Sequence, residues 1–353
     1  MKVLIVDDSI IFRSGILKAL TGQVGIEVVG SAANGKIALD KIKQLKPDII
    51  TMDLEMPIMD GISTIKEIRK DNKNLGILVF SDQSEVAARK TFEALAAGAD
   101  DFIPKSIVKG EGDSVELIRK ELVPKINQFK DRLFKRTGIV PTVSKTSINS
   151  IPDLNIKNSK IKRSDLIVLG CSTGGPEALR NIFKNLVGYK GPPILIVQHM
   201  PPVFTEQLAK LLTTASGWSV KEAKEGDLLQ KDICYIAPGD YHMKLVKGKD
   251  GYAIQLNQEE KVKSVRPAVD VLFKSVADNY IGQVLSIIMT GMGDDGLDGI
   301  KCLKQKGSQV VIQDKESSVV WGMPGAIFAA NLFDSIVPLD EISKIIKDAV
   351  LGV

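Results

Sequence analysis

The chain has 353 residues, 44% hydrophobic and 25% charged, with a formal net charge of +4; its length is about twice an ordinary domain, so two cores are expected in an otherwise globular composition. Three cysteines, Cys171, Cys234 and Cys302, are odd in number, far apart and outside any C-x-x-C spacing, which argues against a disulfide framework or a zinc site. No apolar run approaches the ~20 residues that cross a bilayer, so a soluble protein of the reducing cytoplasm is expected, without membrane insertion.

The chain opens with "MKVLIVDDS", a charged-ended strand and not a signal peptide. Apolar runs "KVLIV", "EVVGSA", "DIITMD", "GILVFS" and "DDFIPK" then alternate with segments of helical spacing such as "FRSGILKAL" and "STIKEIRK". Such alternation predicts a parallel sheet with helices on both faces, where function collects at the carboxyl ends of the strands. Those ends carry Asp7 and Asp8, Asp53, Ser81 and Lys105.

Three carboxylates on neighbouring strand ends repel one another, and a hard divalent cation such as Mg²⁺ resolves the repulsion by taking oxygen ligands from all of them. A carboxylate beside that cation can attack a phosphoryl group while a hydroxyl and an ammonium hold the phosphate oxygens. Each residue alone has a plainer reading: Asp7 or Asp8 as a helix cap, Asp53 as a turn residue before Pro57, Lys105 as a surface charge. All five at strand ends, in this order, point to the chemistry.

Residues 1–125 resemble the receiver domain of bacterial response regulators, through "VDDS", "MDLEMPIMDG", "FSD" and "FIPKS". The resemblance implies a flavodoxin-like fold, Asp53 as phospho-acceptor, Asp7, Asp8 and Asp53 as Mg²⁺ ligands, and Ser81, Phe102 and Lys105 as switch and phosphate-binding residues. The family commonly has proline after the lysine, often behind a cis peptide; Ser106 stands here, and a cis bond before a residue other than proline is rare.

Residues 126–163 read as a polar linker. Between Lys130 and Arg163, nine Lys or Arg face only Asp131 and Asp153, a local balance of +7 that leaves the rest of the chain near −3. Pro141, Pro152 and many Ser, Thr and Asn residues break any apolar period. A solvated tether is the expectation, with docking to an acidic partner as the alternative; no aromatic or helical basic stripe suggests nucleic acid.

Alternation resumes over residues 164–353. The strand "DLIVLGCS" ends in Ser172 and is followed by the helical "TGGPEALRNIFKNL"; "ILIVQHM" delivers His199; "VLSIIM" runs into "TGMGDDGLDG", with Asp294 and Asp295. A parallel sheet brings these ends to one edge, so Ser172 as nucleophile, His199 as base and a carboxylate that orients the imidazole form a candidate triad. Backbone N–H groups near Thr173, Gly174 and Met292 are candidates for the oxyanion. Ser172 or Thr173 as an ordinary helix N-cap, His242 as the base, and Cys171 as the nucleophile are the competing readings. Gly291, Gly293 and Gly296 also have G-x-G-x-x-G spacing, with Asp314 about twenty residues on, so a dinucleotide loop is a further alternative. Two carboxylates between those glycines would repel a pyrophosphate.

The second half resembles the catalytic domain of the chemotaxis protein-glutamate methylesterases, through "GCSTGGPEAL", "VQHMPP", "MTGMGDDG", "APGDYHM", "RPAVDVLF" and "VVWGMPGA". The family usually has alanine at Cys171 and often asparagine at Asp294, and its aspartate directly before the glycine corresponds to Asp295. The resemblance implies two doubly wound parallel-sheet α/β domains, a receiver and a serine hydrolase, joined by the basic linker. It implies hydrolysis of glutamate methyl esters on chemoreceptor cytoplasmic helices, glutamine deamidation as a second activity, no cofactor for the esterase, and phosphate from the chemotaxis histidine kinase that relieves occlusion of the Ser172 edge. A receiver fused to a nucleotide-dependent or DNA-binding output domain is the alternative, and neither a helix-turn-helix pattern nor basic character outside the linker favours the DNA-binding form.

Overall fold

The computed structural model describes residues 1–105, 114–137, 160–188 and 190–351. The chain separates into two compact units, Met1–Ser144 and Lys145–Val353.

The first unit alternates β1 (Lys2–Val6), α1 (Ile10–Leu20), β2 (Glu27–Ala32), α2 (Gly35–Leu45), β3 (Ile49–Asp53), α3 (Gly61–Asp71), β4 (Gly76–Ser81), α4 (Glu85–Ala96), β5 (Asp101–Pro104) and α5 (Ser114–Thr137). All strand pairs are parallel, in the order β2-β1-β3-β4-β5. Residues of β3 and β4 are buried throughout, as expected for strands covered on both faces. Four helices start where a local side chain accepts an N–H: Ser9 from Phe12, Asn34 from Ile37, Asp60 from Ser63, and Ser84 from Ala87. The strand order reverses between β1 and β3, and the crevice at that point lies beside Asp7 and Asp53.

Helix α5 continues twelve residues beyond position 125, around Pro124. Ile118, Leu122, Ile126 and Phe129 are all buried, the first three at four-residue spacing, and they pack against Val3, Ile16 and Phe80. The apolar stripe of this helix therefore runs into the basic stretch. Residues 138–159 of that stretch, including Pro141 and Pro152, lie outside the described residues, as does Ser106.

In the second unit the elements are β6 (Leu166–Cys171), α6 (Gly175–Lys184), β7 (Ile194–Gln198), α7 (Phe204–Ser216), β8 (Ser219–Glu222), β9 (Ile233–Ile236), β10 (His242–Gly248), β11 (Gly251–Asn257), α8 (Val269–Asn279), β12 (Val284–Ile288), α9 (Leu297–Gln305), β13 (Gln309–Gln313), α10 (Met323–Ala329), β14 (Ser335–Val337) and α11 (Leu339–Leu351). Seven strands form a parallel sheet in the order β14-β13-β12-β6-β7-β9-β8. The direction of winding reverses between β6 and β12, so the ends of β6, β7 and β12 flank one crevice. Leu169, Ile196 and Ile287, one in each of these strands, are fully buried; each such side chain contributes roughly 1.5–3 kcal/mol and makes a stiff platform for the residues beyond it.

One feature departs from the all-parallel expectation. β10 and β11 pair antiparallel as a hairpin closed at Gly248 and Gly251, and it stands apart from the main sheet. Its alternation of inward Met243, Leu245 and Ile254 with polar residues is a period-two pattern, and it packs one face into the core of this unit. At the other end of the chain's entry, Lys162 N–H donates to Gln309 Oε1, Gln309 Nε2 donates to Lys160 O, and Ser164 N–H donates to Ala349 O. Residues 160–164 are thus fastened to the edge of the sheet opposite Ser172.

Candidate active sites

The acidic crevice of the first unit gathers the residues read from the strand ends. Oxygens of Asp7, Asp8 and Asp53 lie within 4.8 Å of one another. Lys105 Nζ sits 2.8 Å from Asp53 Oδ1 and 3.3 Å from Asp7 Oδ2, and 5.0 Å above the Phe12 ring. A cavity of about 210 Å³ opens here, lined in part by Asp8, Asp53, Ser81, Asp82 and Lys105, and the Lys90–Glu55 ion pair stands at its wall.

Electrostatics in the crevice favour a cation. Burial, and next the Asp53 charge, raise the Asp7 carboxyl to about 6. Burial also pushes Asp53 up, and the Lys105 hydrogen bond and charge offset only part of that. Lys105 is held above its usual range because the two carboxylates outweigh the burial that opposes its charge. Asp7 Oδ1 accepts the Ser9 N–H, whereas its buried Oδ2 accepts no hydrogen bond among the described residues and has the Lys105 ammonium 3.3 Å away. An unsatisfied carboxylate oxygen in an all-oxygen donor set fits a hard divalent ion such as Mg²⁺.

The Asp7 shift has a definite sign for stability. A carboxyl whose folded pKa is raised favours the folded state while protonated, so its contribution falls as pH rises from about 4 to about 6 and is flat beyond. Asp7→Asn is therefore expected to raise the unfolding temperature of this unit at pH 8 by several degrees, with the advantage vanishing below pH 4. Thermal melts at the two pH values, without added divalent cation, check this; an equal effect at both would rule out the buried charge as its cause.

Ser81 is buried and lines the crevice, and Phe102 is buried on β5. The Ser81 hydroxyl donates to the Asp82 and Ala87 carbonyls and accepts from Thr91 Oγ1 at 2.6 Å. It is thus engaged with the start of α4.

The second unit brings its three residues together as the strand ends suggested. Cys171 and Gln198 are partners across β6 and β7, so Ser172 and His199 each stand one residue beyond the paired ends. The His199 N–H donates to the Cys171 carbonyl at 3.3 Å. His199 Nε2 and Asp295 Oδ2 are 2.7 Å apart. The Ser172 hydroxyl makes no hydrogen bond to His199 among the described residues.

Asp295 is nearly fully buried. Its Oδ2 also accepts the Val269 N–H at 2.6 Å, and its Oδ1 accepts those of Asp270 and Gly296, each at 3.0 Å. Burial alone would raise this carboxyl; the His199 hydrogen bond and charge, with the Asp270 and Val269 N–H groups, outweigh it and hold Asp295 below the ordinary range. Its neighbour Asp294 is exposed and pairs with Lys263 at 3.2 Å, as does the fully buried Asp270 at 3.0 Å. The two adjacent aspartates are thus distinguished by where they point.

The competing readings lose their footing. The N-cap of α6 is Gly174, at φ +77°, with no side-chain cap, so neither Ser172 nor Thr173 serves that end. The Thr173 and Gly174 amides donate no hydrogen bond among the described residues, and Met292 is 40% exposed on the facing loop. Cys171 is fully buried, its thiol donates to Gln198 Oε1, and burial pushes that thiol well up, away from the nucleophilic thiolate. His242 is buried at the start of the hairpin, with Nε2 on the Glu260 carbonyl at 3.0 Å and, among the described residues, no carboxylate bonded to it.

Gly291 and Gly296 have packing duties. A Cβ on Gly291 would lie 2.9 Å from Ser172 Cβ and 2.3 Å from Met323 Sδ; one on Gly296, at φ +95°, would meet Ile288 and Val269. Gly291 thus lets the Asp295 loop press against the turn at Ser172 and Gly296 lets it press against α8, whereas Gly293, at φ +74°, has open space around it and serves the backbone turn alone.

Residues that composition and spacing did not single out complete the site. Gln198 Nε2 donates to the carbonyls of both Ser172 and His199. Thr290 Oγ1 donates to the Thr173 carbonyl, and the Thr290 N–H donates to Gln313 Oε1. The last residue of β7 and the last of β13 are both buried glutamines, and a buried polar residue at a strand end was the signal available. A cavity of about 430 Å³ between Arg163, Lys231, Tyr252 and Tyr280 lies at the opposite end of the strands and shares no residue with this site.

Known families and proteins resemble both units. The response regulator receiver domain matches residues 3–114 and the CheB methylesterase matches residues 167–346. The protein-glutamate methylesterase/protein-glutamine glutaminase of Trichodesmium erythraeum is 43% identical over 97% of this chain and 97% of its own. That of Desulfotalea psychrophila is 40% identical over 98% and 97%. The solved catalytic domain of Thermotoga maritima CheB methylesterase is 39% identical, with a TM-score of 0.50 over 52% of this chain and 97% of that one.

Proposed function

Because the chain belongs to the CheB methylesterase family, with a response-regulator receiver domain ahead of the catalytic domain, we propose that it hydrolyses glutamate methyl esters on chemoreceptors under control of phosphorylation at Asp53. The observation that carries the reading is the His199–Asp295 contact at 2.7 Å, at the sheet edge where Ser172 stands one residue past the end of the adjoining strand. Nearly full-length identity to protein-glutamate methylesterase/glutaminases supports it over a nucleotide-dependent or DNA-binding output.

Asp295 accepts from Nε2 and so leaves Nδ1 of His199 as the base. His199 takes the Ser172 proton as Oγ bonds to the ester carbonyl carbon. The oxyanion that forms is received by the Thr173 and Gly174 amides, with Met292 on the facing loop. The C–OCH₃ bond then breaks, and the proton from His199 leaves on methanol. Water, deprotonated by the same imidazole, splits the acyl-serine and frees glutamate. With glutamine the leaving group is ammonia, which gives deamidation by the same steps.

In the receiver, Asp7, Asp8 and Asp53 would hold Mg²⁺, which neutralises charge on a transferring phosphoryl group. Lys105 would hold a phosphate oxygen, and Ser81 would turn from the Ala87 carbonyl toward the phosphate, with Phe102 following. The chemotaxis histidine kinase is the expected phosphodonor.

Methanol release from methylated chemoreceptor by the full chain tests the scheme. With Mg²⁺ and a small acyl phosphate the rate is expected to rise roughly 5- to 150-fold, the usual range of coupling between sites, and Asp53→Asn is expected to lose that rise. Activation that persists in Asp53→Asn would remove the receiver from the scheme. A fragment of residues 164–353 no more active than the unphosphorylated full chain would exclude inhibition by the receiver.

A further inference from the structure

Helix α8 begins at Ala268, whose φ of −122° and ψ of 137° are those of an N-cap but whose side chain has no oxygen to accept an N–H. The exposed donors of its first turn go elsewhere: Val269 N–H to Asp295 Oδ2 and Asp270 N–H to Asp295 Oδ1. The Asp270 carboxylate is turned away from this end and accepts the Gly299 N–H in the first turn of α9, whose N-cap Gly296 also lacks a side chain. Each helix is capped by a carboxylate from a neighbouring segment.

Asp295 stands on a loop, and a loop aspartate is free to rotate about its Cβ–Cγ bond unless both oxygens are tied. Here each oxygen has two donors: Val269 N–H and His199 on Oδ2, Asp270 N–H and Gly296 N–H on Oδ1. Gly296 is the next residue along the chain and moves with Asp295. The α8 donors are the ones anchored in the core, since Val269 and Ala268 are fully buried.

On the reading that Asp295 orients His199, we propose that the first turn of α8 is the positioning device for that carboxylate: Val269 and Asp270 fix its plane, and Ala268, having no capping oxygen, leaves their N–H groups to it. Val269, Asp270 and Ala268 are positioning residues that touch no substrate. The helix end also places its partial positive charge against the carboxylate.

Val269→Pro tests the device in the full chain. Proline suits the first position of a helix, and the extended backbone of Ala268 is the conformation a residue before proline adopts, so the helix start is kept while one donor to Asp295 is removed. Val269→Ala is the reference, because it loses the same side-chain packing and retains the N–H. In the methyl-ester assay Val269→Pro is expected to show kcat about tenfold or more below Val269→Ala, as for a lost hydrogen bond to a charged group, with KM within about twofold. Equal kcat in the two variants, or a change confined to KM, would overturn the proposal.

If Val269→Pro does not fold, Ala268→Ser decides. A serine at the cap supplies an oxygen that competes for the Asp270 N–H, so the melting temperature holds or rises while kcat falls severalfold; wild-type kcat would overturn the proposal. Ser172→Ala, assayed beside them, separates the two levels: activity surviving there would sink the triad itself, whatever the α8 variants do.

Discussion

Ser172→Ala is expected to abolish measurable methanol release, a fall of at least about 10⁴-fold in kcat, since on the proposed mechanism it removes the nucleophile and leaves only the contribution of binding and the oxyanion donors. The fold is expected to be unaffected. Among the described residues the Ser172 hydroxyl caps no helix and bonds no neighbour; the turn is held through the Ser172 backbone, whose N–H donates to the Thr290 carbonyl and whose carbonyl accepts from Gln198 Nε2. A melting temperature equal to wild type with no activity is the expected pair of results. Activity within tenfold of wild type would shift the nucleophile elsewhere, and buried Cys171, with its thiol pushed up, is poorly suited to take the role.

Asp295→Asn and Asp294→Asn are expected to diverge by a similar factor. An asparagine at 295 has one acceptor oxygen and one NH₂ group, yet both oxygens of Asp295 accept from donors. Whichever way the amide faces, its NH₂ meets either the Val269 N–H and His199 pair or the Asp270 and Gly296 pair. The first wrecks the imidazole's tautomer; the second leaves two buried donors unpaired, at about 1–3 kcal/mol each. A fall of ~10⁴ in kcat is the measure of such a change in a triad aspartate. Asp294→Asn removes only an exposed partner of Lys263, worth about 0–1 kcal/mol, and leaves kcat within about twofold. Comparable losses in both variants would mean that the carboxylate's role had been assigned on adjacency alone.

Much of this was legible from strand ends. Continuous apolar runs declared buried parallel strands, and the residues just past them, Asp7, Asp53, Lys105, Ser172, His199 and the Asp294–Asp295 pair, are those the structure brings to the two crevices. The choice between Asp294 and Asp295 was not legible from spacing, because both follow the same glycine turn; burial and the α8 donors separate them. The β10–β11 hairpin hid in a stretch read for its histidine, although "HMKLVKGKDGYAIQLN" alternates about a two-residue turn. Helix α5 outran its expected end because the basic composition of its last turns masked an apolar stripe continuing through Phe129. Thr290 and Ala268 were invisible for a common reason: their contributions are contacts across segments, and a local pattern carries no trace of those.

The crossed capping of α8 and α9 has a consequence for how the enzyme assembles. Ser9, Asn34, Asp60 and Ser84 cap helices from within three residues, so those starts are written in local sequence and can form early. The bonds that start α8 and α9 join residues separated by 25, 26 and 29 positions, and closing such loops costs entropy before any contact rewards it. Helical content is therefore expected to return to a refolding chain before the two helices dock, and activity only afterwards, because the bonds from Val269 and Asp270 that start α8 also seat Asp295.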